Sequence, residues 1–214
     1  RPVRWPSWCE WPWSQTNAFD PWLSDSERVC AAGRANPVKP SNPCYTSMSR
    51  VYSFPPIADA SAERLVLGSM PGKASLRVNQ YYAHPRNAFW PIVDALFGVD
   101  VELPYEERCA RLIQQRLAVW DVLETCTRHS SLDSDIEPAS IVPNDFQRFF
   151  EQHPAIRVLY FNGAMAERSF LRYVLPDLPT TLAALPRTRL PSTSPANASF
   201  SFERKLAAWR VLSA

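Results

Sequence analysis

From Ala62 onward, short apolar runs alternate with segments of helical period. Arg64–Gly68 reads as a short buried strand that breaks at Gly68-Ser69-Met70-Pro71-Gly72. A polar loop holding Tyr81 and Tyr82 follows. A helix over Asn87–Phe97 then places Phe89, Ile92, Val93, Leu96 and Phe97 at helical spacing, and Gly98 ends it. Pro104 opens a helix over Tyr105–Leu117. Ala118–Asp121 is a second strand and Ser131–Ser140 a polar loop. Asn144, with Gln147 three residues on, caps a helix that turns Phe146, Phe149 and Phe150 inward. Arg157–Phe161 is a third strand, which Asn162-Gly163 turns into a helix over Ala164–Val174 that buries Phe170, Leu171 and Val174. Thr188–Leu190 is the fourth strand, and Phe202, Leu206 and Trp209 mark a last helix. This alternation predicts an α/β fold: a four-stranded parallel sheet with helices on both faces, in three α/β/α layers.

Residues 1–47 show no such period. Five of the eight tryptophans (Trp5, Trp8, Trp11, Trp13, Trp22) lie there, with prolines between them. Three readings compete: an irregular extension packing its aromatics on the body, a disordered leader, and translated sequence upstream of a natural start at Met48. The third is the expectation, with the functional domain at 48–214.

The 214 residues suffice for one domain with a full core. An apolar content of 46% and a charged content of 21% are ordinary for a globular protein. A net charge of +2 points to no partner class by itself, although a local basic patch suffices to bind nucleic acid. No apolar run approaches a membrane span, and Arg1 and Arg4 precede no signal-peptide core. The five cysteines (Cys9, Cys30, Cys44, Cys109, Cys126) form no Cys-x2-Cys pair, so no metal site is expected. Their odd number argues against a disulfide framework and suits a reducing cytoplasm. No Gly-x-Gly-x-x-Gly, phosphate-loop lysine motif or Gly-x-Ser-x-Gly elbow occurs, which leaves dinucleotide, nucleoside triphosphate and esterase chemistry without support.

In a parallel sheet the loops that follow the strands gather at one edge. They supply amides and hydroxyls (Asn87, Ser192, Thr193, Ser194, Asn197), one carboxylate (Asp121), two tyrosines and several cations. Five segments carry a resemblance: Gly68-Ser69-Met70-Pro71-Gly72, Gln80–Trp90 with its His84-Pro85-Arg86-Asn87, Val119–Leu123, Phe161-Asn162-Gly163 and Leu190–Asn197. In this order over residues 51–213, the chain resembles the uracil-DNA glycosylase superfamily, and within it the hypoxanthine-DNA (deoxyinosine) glycosylase branch. Residues 1–47 have no counterpart in that resemblance.

The resemblance implies a monofunctional base-excision-repair enzyme, expected to act as a monomer in the cytoplasm. It would flip a deaminated nucleotide out of DNA and hydrolyse its N-glycosidic bond, with no cofactor, metal or Schiff-base lysine. Hypoxanthine is the expected base. Uracil is the alternative substrate, and a catalytically degenerate DNA-binding protein is the alternative of another class. The usual polar residue of the first motif is here Met70, a thioether that orients water poorly. The resemblance therefore moves catalysis to Asn87, a residue that also suits a helix cap. Gly68, Ser69, Met70, Pro71 and Ser192 would surround the base. Tyr82 would stack on it, or pack its own loop. Asp121 would accept from an N–H of the base edge, or cap a helix, or pair with Arg128. Ser194, Pro195, Ala196 and Asn197, with Lys73 and Arg86, would contact DNA. The Ser/Pro cluster also reads as a plain turn, and His84 as a structural histidine.

Overall fold

A computed structural model describes residues 49–213. Its strands are β1 (Ser49–Tyr52), β2 (Arg64–Gly68), β3 (Leu117–Asp121), β4 (Leu123–Arg128), β5 (Val142–Pro143), β6 (Val158–Asn162) and β7 (Arg187–Leu190). Its helices are α1 (Lys73–Val78), α2 (Phe89–Phe97), α3 (Tyr105–Gln114), α4 (Phe146–Gln152), α5 (Ala164–Tyr173), α6 (Thr180–Ala183) and α7 (Phe202–Trp209). The readings of residues 1–47 and of Met48 as a start lie outside the described residues.

The expected parallel sheet is present, in the order β3-β2-β6-β7. Its central strand β2 is apolar on both faces because both are covered; Leu65, Val66 and Leu67 are completely buried. Each such side chain contributes roughly 1.5–3 kcal/mol on burial.

The register identifies the layers. Leu67 lies level with Trp120 and Phe161, so these three share a face. There Trp120 stacks on Phe149 of α4, and Phe161 meets Phe170 of α5. On the opposite face, Tyr160 donates to the Val211 carbonyl and Arg64 to that of Leu212, which places the C-terminal segment there. Phe89 of α2 meets Trp209 of α7 edge to face, joining those two helices. Gly68 and Asp121 pair at the ends of their strands.

Several elements depart from expectation. A second, antiparallel sheet, β1-β4-β5, runs on from the corner at Val122. The stretch between Gly72 and Tyr81 holds helix α1 rather than loop alone. The polar loop after Ser131 contains two 3-10 turns, Asp133–Asp135 and Pro138–Ser140. Helix α2 starts at Phe89, two residues after Asn87. The cap of α4 is Asp145, whose carboxylate accepts from the Arg148 N–H. Asn144 instead donates to the Asp121 carbonyl at 2.8 Å. Leu171 is 43% exposed, because α5 turns that position outward. Among the described residues no helix is long and apolar enough to cross a membrane. Among the described residues, Cys109 and Cys126 are free thiols, and no group of three metal-ligating side chains is gathered.

Candidate active site

At the carboxyl edge of the parallel sheet lies a cavity of about 500 Å³. Its floor is built from strand ends, Gly68 of β2, Asp121 of β3 and Asn162 of β6. Tyr82 and Asn87 line it from the segment before α2, and the loops after β7 and β4 close its sides.

The corner between β3 and β4 is tied to the first motif. Val122 N–H donates to the Gly68 carbonyl and Leu123 N–H to that of Ser69. This holds Asp121 over Gly68, where a Cβ would collide with Asp121 Oδ1 and meet the Tyr82 hydroxyl at 3.2 Å. Glycine is thus required by close approach, not by its backbone angles. Gly163 serves differently. Its φ is +99°, and a Cβ there would lie 2.9 Å from Ser192 Cβ.

Asp121 is 3% exposed, and its Oδ2 has no partner among the described residues. Burial, helped by the negative charge of Asp133 and opposed by Arg128, pushes its carboxyl up to about 8. At neutral pH it therefore holds a proton and offers one O–H donor and one carbonyl acceptor, where a carboxylate offers acceptors alone. Among the described residues it neither caps a helix nor forms an ion pair; the Arg128 guanidinium donates to the Pro71 carbonyl.

Tyr82 has a φ of 56°, an uncommon conformation for a bulky residue and one that concentrates at functional sites. Its ring stacks on Phe89 at 4.1 Å between centroids. Its hydroxyl is buried without a well-aligned hydrogen-bond partner among the described residues; burial first, then the Asp121 charge, pushes the phenol well above its usual range, against the Asn162 side chain, which pulls it down. Tyr81 is core: its hydroxyl donates to the Phe54 carbonyl and its own carbonyl accepts from Trp90 Nε1.

Asn87 Oδ1 accepts from the Phe89 N–H at 3.0 Å, an Asx turn into α2. The bond uses one of the two carbonyl lone pairs and leaves the Nδ2 donors. The next residue, Ala88, donates its N–H to the carbonyl of Thr193. Thr193 is completely buried and also clamps Asn162. Its N–H donates to Asn162 Oδ1 at 2.8 Å, and its hydroxyl accepts from Asn162 Nδ2 at 2.9 Å. One threonine thereby sets the β6 end and the Asn87 segment against each other.

The remaining expected residues are placed as follows. Met70 and Pro71 are buried in the lining, and Ser69 donates to Asp133 at 2.7 Å. Ser192 Oγ accepts from the Ser194 N–H, and Ser194 Oγ from the Ala196 N–H. Asn197 donates to the Ser192 carbonyl and its Oδ1 accepts from Ser199. Pro195, Ala196 and Asn197 line the cavity with them. Lys73 lines it too, with Nζ donating to the His129 carbonyl. Arg86 is exposed and stands outside the lining. His84 accepts from the Arg86 N–H through Nδ1, so the neutral ring carries its proton on Nε2. Sequence reasoning missed the wall Ser131–Ser134, which it read as loop, and gave Asn162 no role beyond a turn. The signal for Asn162 was its place at the end of a parallel strand.

A family model described as the Uracil DNA glycosylase superfamily matches residues 55–213. A Hypoxanthine DNA glycosylase of Methanosarcina acetivorans is 38% identical over 114 residues, covering 53% of this chain and 71% of that protein. Its namesake from Methanosarcina barkeri is 35% identical over 111 residues, covering 51% and 69%. A solution NMR structure of a candidate uracil DNA glycosylase from M. acetivorans superposes with a TM-score of 0.62 at 33% identity, covering 78% of this chain and all of that one.

Proposed function

The chain belongs to the uracil DNA glycosylase superfamily, and from that premise we propose that it is a monofunctional DNA glycosylase. It hydrolyses the N-glycosidic bond of deaminated bases, hypoxanthine in deoxyinosine foremost, and leaves an abasic site. The observation that carries this reading is the strand-end cavity, where Asn87 and Tyr82 converge with Asp121 and Asn162. The names of the two Methanosarcina relatives support hypoxanthine as the base. The glycosylase domain is assigned to residues 48–214, acting as a cytoplasmic monomer; the free thiols Cys109 and Cys126 suit a reducing compartment.

DNA lies across the loop edge. Ser194, Lys73 and Arg86 contact phosphates, with the salt dependence such contacts carry, and Pro195, Ala196 and Asn197 face the gap in the helix. Extruding the nucleotide costs a few kcal/mol, least for a mispaired base. Tyr82, braced by Phe89, stacks on the base, which is worth about 1–3 kcal/mol. Gly68, Ser69, Met70, Pro71 and Ser192 surround it, and Asp121 faces its edge. As the C1′–N bond stretches toward an oxocarbenium-like state, Asn87 orients the attacking water through its remaining carbonyl lone pair. Its Nδ2 remains as a donor toward developing negative charge.

The test is release of hypoxanthine, uracil and xanthine from matched oligonucleotides by the full chain and by Asn87→Ala. The expected result is alkali-labile sites at deoxyinosine ahead of deoxyuridine, and a loss of about 100-fold or more in Asn87→Ala. A parent that leaves no such site on any substrate is a DNA-binding protein, and a parent that prefers uracil places the chain with uracil enzymes. Full activity in Asn87→Ala removes that residue from the chemistry.

A further inference from the structure

The floor of the cavity holds two buried polar atoms that nothing in the described protein satisfies: the Tyr82 hydroxyl and Asp121 Oδ2. They come from different segments, and Asp121, through its Oδ1, and the Tyr82 hydroxyl both crowd the space above Gly68, where there is no side chain. Burying a donor or acceptor unpaired destabilises a fold, so such atoms call for a ligand that completes them. Both residues line the cavity, where a ligand can reach them.

The charged and titratable groups around Asp121 come from every element packed against it. Asp133, from the first 3-10 turn, favours its neutral form, and Arg128 of β4 opposes this. The Tyr81 and Tyr82 phenols, raised by burial, stay neutral. Asn162 of β6 carries no charge and spends its amide on Thr193. A base departing as an anion would enter a low-dielectric floor with Asp133 behind it and the Arg128 charge turned to the Pro71 carbonyl. Like charges in such a setting repel strongly. A proton from Asp121 lets the base leave neutral and moves the negative charge onto the Asp121 carboxylate, which Arg128 favours and Asp133 opposes; this buried carboxylic acid in the cavity lining is the group at hand to supply it.

Resting on the glycosylase reading of this cavity, we propose that Asp121 is the acid of the reaction, giving its proton to N7 of the departing hypoxanthine. The C1′–N9 bond breaks and its electron pair stays on the base. The Asp121 O–H bond breaks as N7 takes the proton, so hypoxanthine leaves neutral. Water adds its oxygen to C1′ and releases one proton, which restores the Asp121 carboxyl. One water is consumed for each base released.

The experiment compares deoxyinosine with 7-deaza-deoxyinosine, which has no N7 lone pair, in single-turnover assays from pH 6 to 9.5. The parent should release hypoxanthine at a rate that is flat at low pH and falls as pH rises through about 8. Asp121→Asn should be at least about 100-fold slower and flat throughout. The 7-deaza substrate should bind the parent yet react at least about 100-fold more slowly, and in Asp121→Asn the two substrates should converge. Melting curves give a readout independent of activity. A carboxyl whose folded pKa is raised stabilises the fold fully below its unfolded value near 4 and loses that contribution as pH rises through 8. The parent should therefore lose several degrees more than Asp121→Asn between pH 5 and pH 9. Equal rates on the two substrates, or parallel melting of parent and variant with pH, would overturn the proposal while leaving the glycosylase reading intact. A parent inert on deoxyinosine would overturn both.

Discussion

At the floor of the cavity the Tyr82 hydroxyl and Asp121 Oδ2 are buried without partners among the described residues, whereas along the Ser192–Ser199 rim the side chains bond to the loop's own backbone and to one another. Ser192 holds the Ser194 N–H, Ser194 the Ala196 N–H, and Asn197 the Ser192 carbonyl. The floor stands on parallel strands whose register fixes each residue. The rim is a loop that keeps its shape by its own hydrogen bonds. The floor thus carries unmet chemical demand on a rigid base, and the rim carries shape with its demand already met. Under the proposed function, recognition of the base falls mainly to the first, and contact with the DNA backbone to the second from Ser194 on.

The sharpest way to break this contrast is Asn87, which meets part of its own demand through its cap and still faces the cavity. Asn87→Ser keeps an acceptor for the Phe89 N–H but is too short to reach a reacting water. Activity should fall by about 100-fold or more, while melting stays within a few degrees of the parent and above Asn87→Ala. Parent-like turnover in Asn87→Ser would reduce the residue to a helix cap.

Gly68→Ala tests the floor from below. Its Cβ would strike Asp121 Oδ1, so the carboxyl must move, and a misplacement of that order costs about 10²-fold in turnover. KM should change less than kcat. If the variant keeps the parent's kcat, the Asp121 position is not used in the reaction.

Ser192→Ala is the smallest effect. It removes one hydrogen bond inside the rim, worth about 1 kcal/mol, and should lower DNA affinity by no more than about fivefold, as read by a binding titration. A loss as large as that of Asn87→Ser would mean that the rim takes part in the chemistry.

What could be read from the chain follows the same division. β2, β3 and β6 were legible to within a residue because strands buried on both faces are continuous apolar runs; β7, Arg-Thr-Arg-Leu with only Leu190 buried, was placed as closely without that signal. β4 was not, since Leu-Glu-Thr-Cys-Thr-Arg has polar residues inside and is separated from β3 by Val122 alone. Helix α1 hid in a short segment with no side-chain cap. The cap of α4 shifted by one residue because Asn144 and Asp145 are both good caps and Asn144 found a tertiary partner in the Asp121 carbonyl. In the site, Asn87 and Tyr82 stood out through their motif. Two things did not: the left-handed backbone of Tyr82, which no propensity favours, and the proton on Asp121, which only three-dimensional burial places there.

The buried Thr193 has a kinetic consequence. Its backbone and hydroxyl lock Asn162 and Ala88 together, so the segments after β6, before α2 and after β7 cannot fray one at a time. Their amide protons should exchange with solvent in one cooperative opening rather than three, and the site would then assemble and dissolve as a unit.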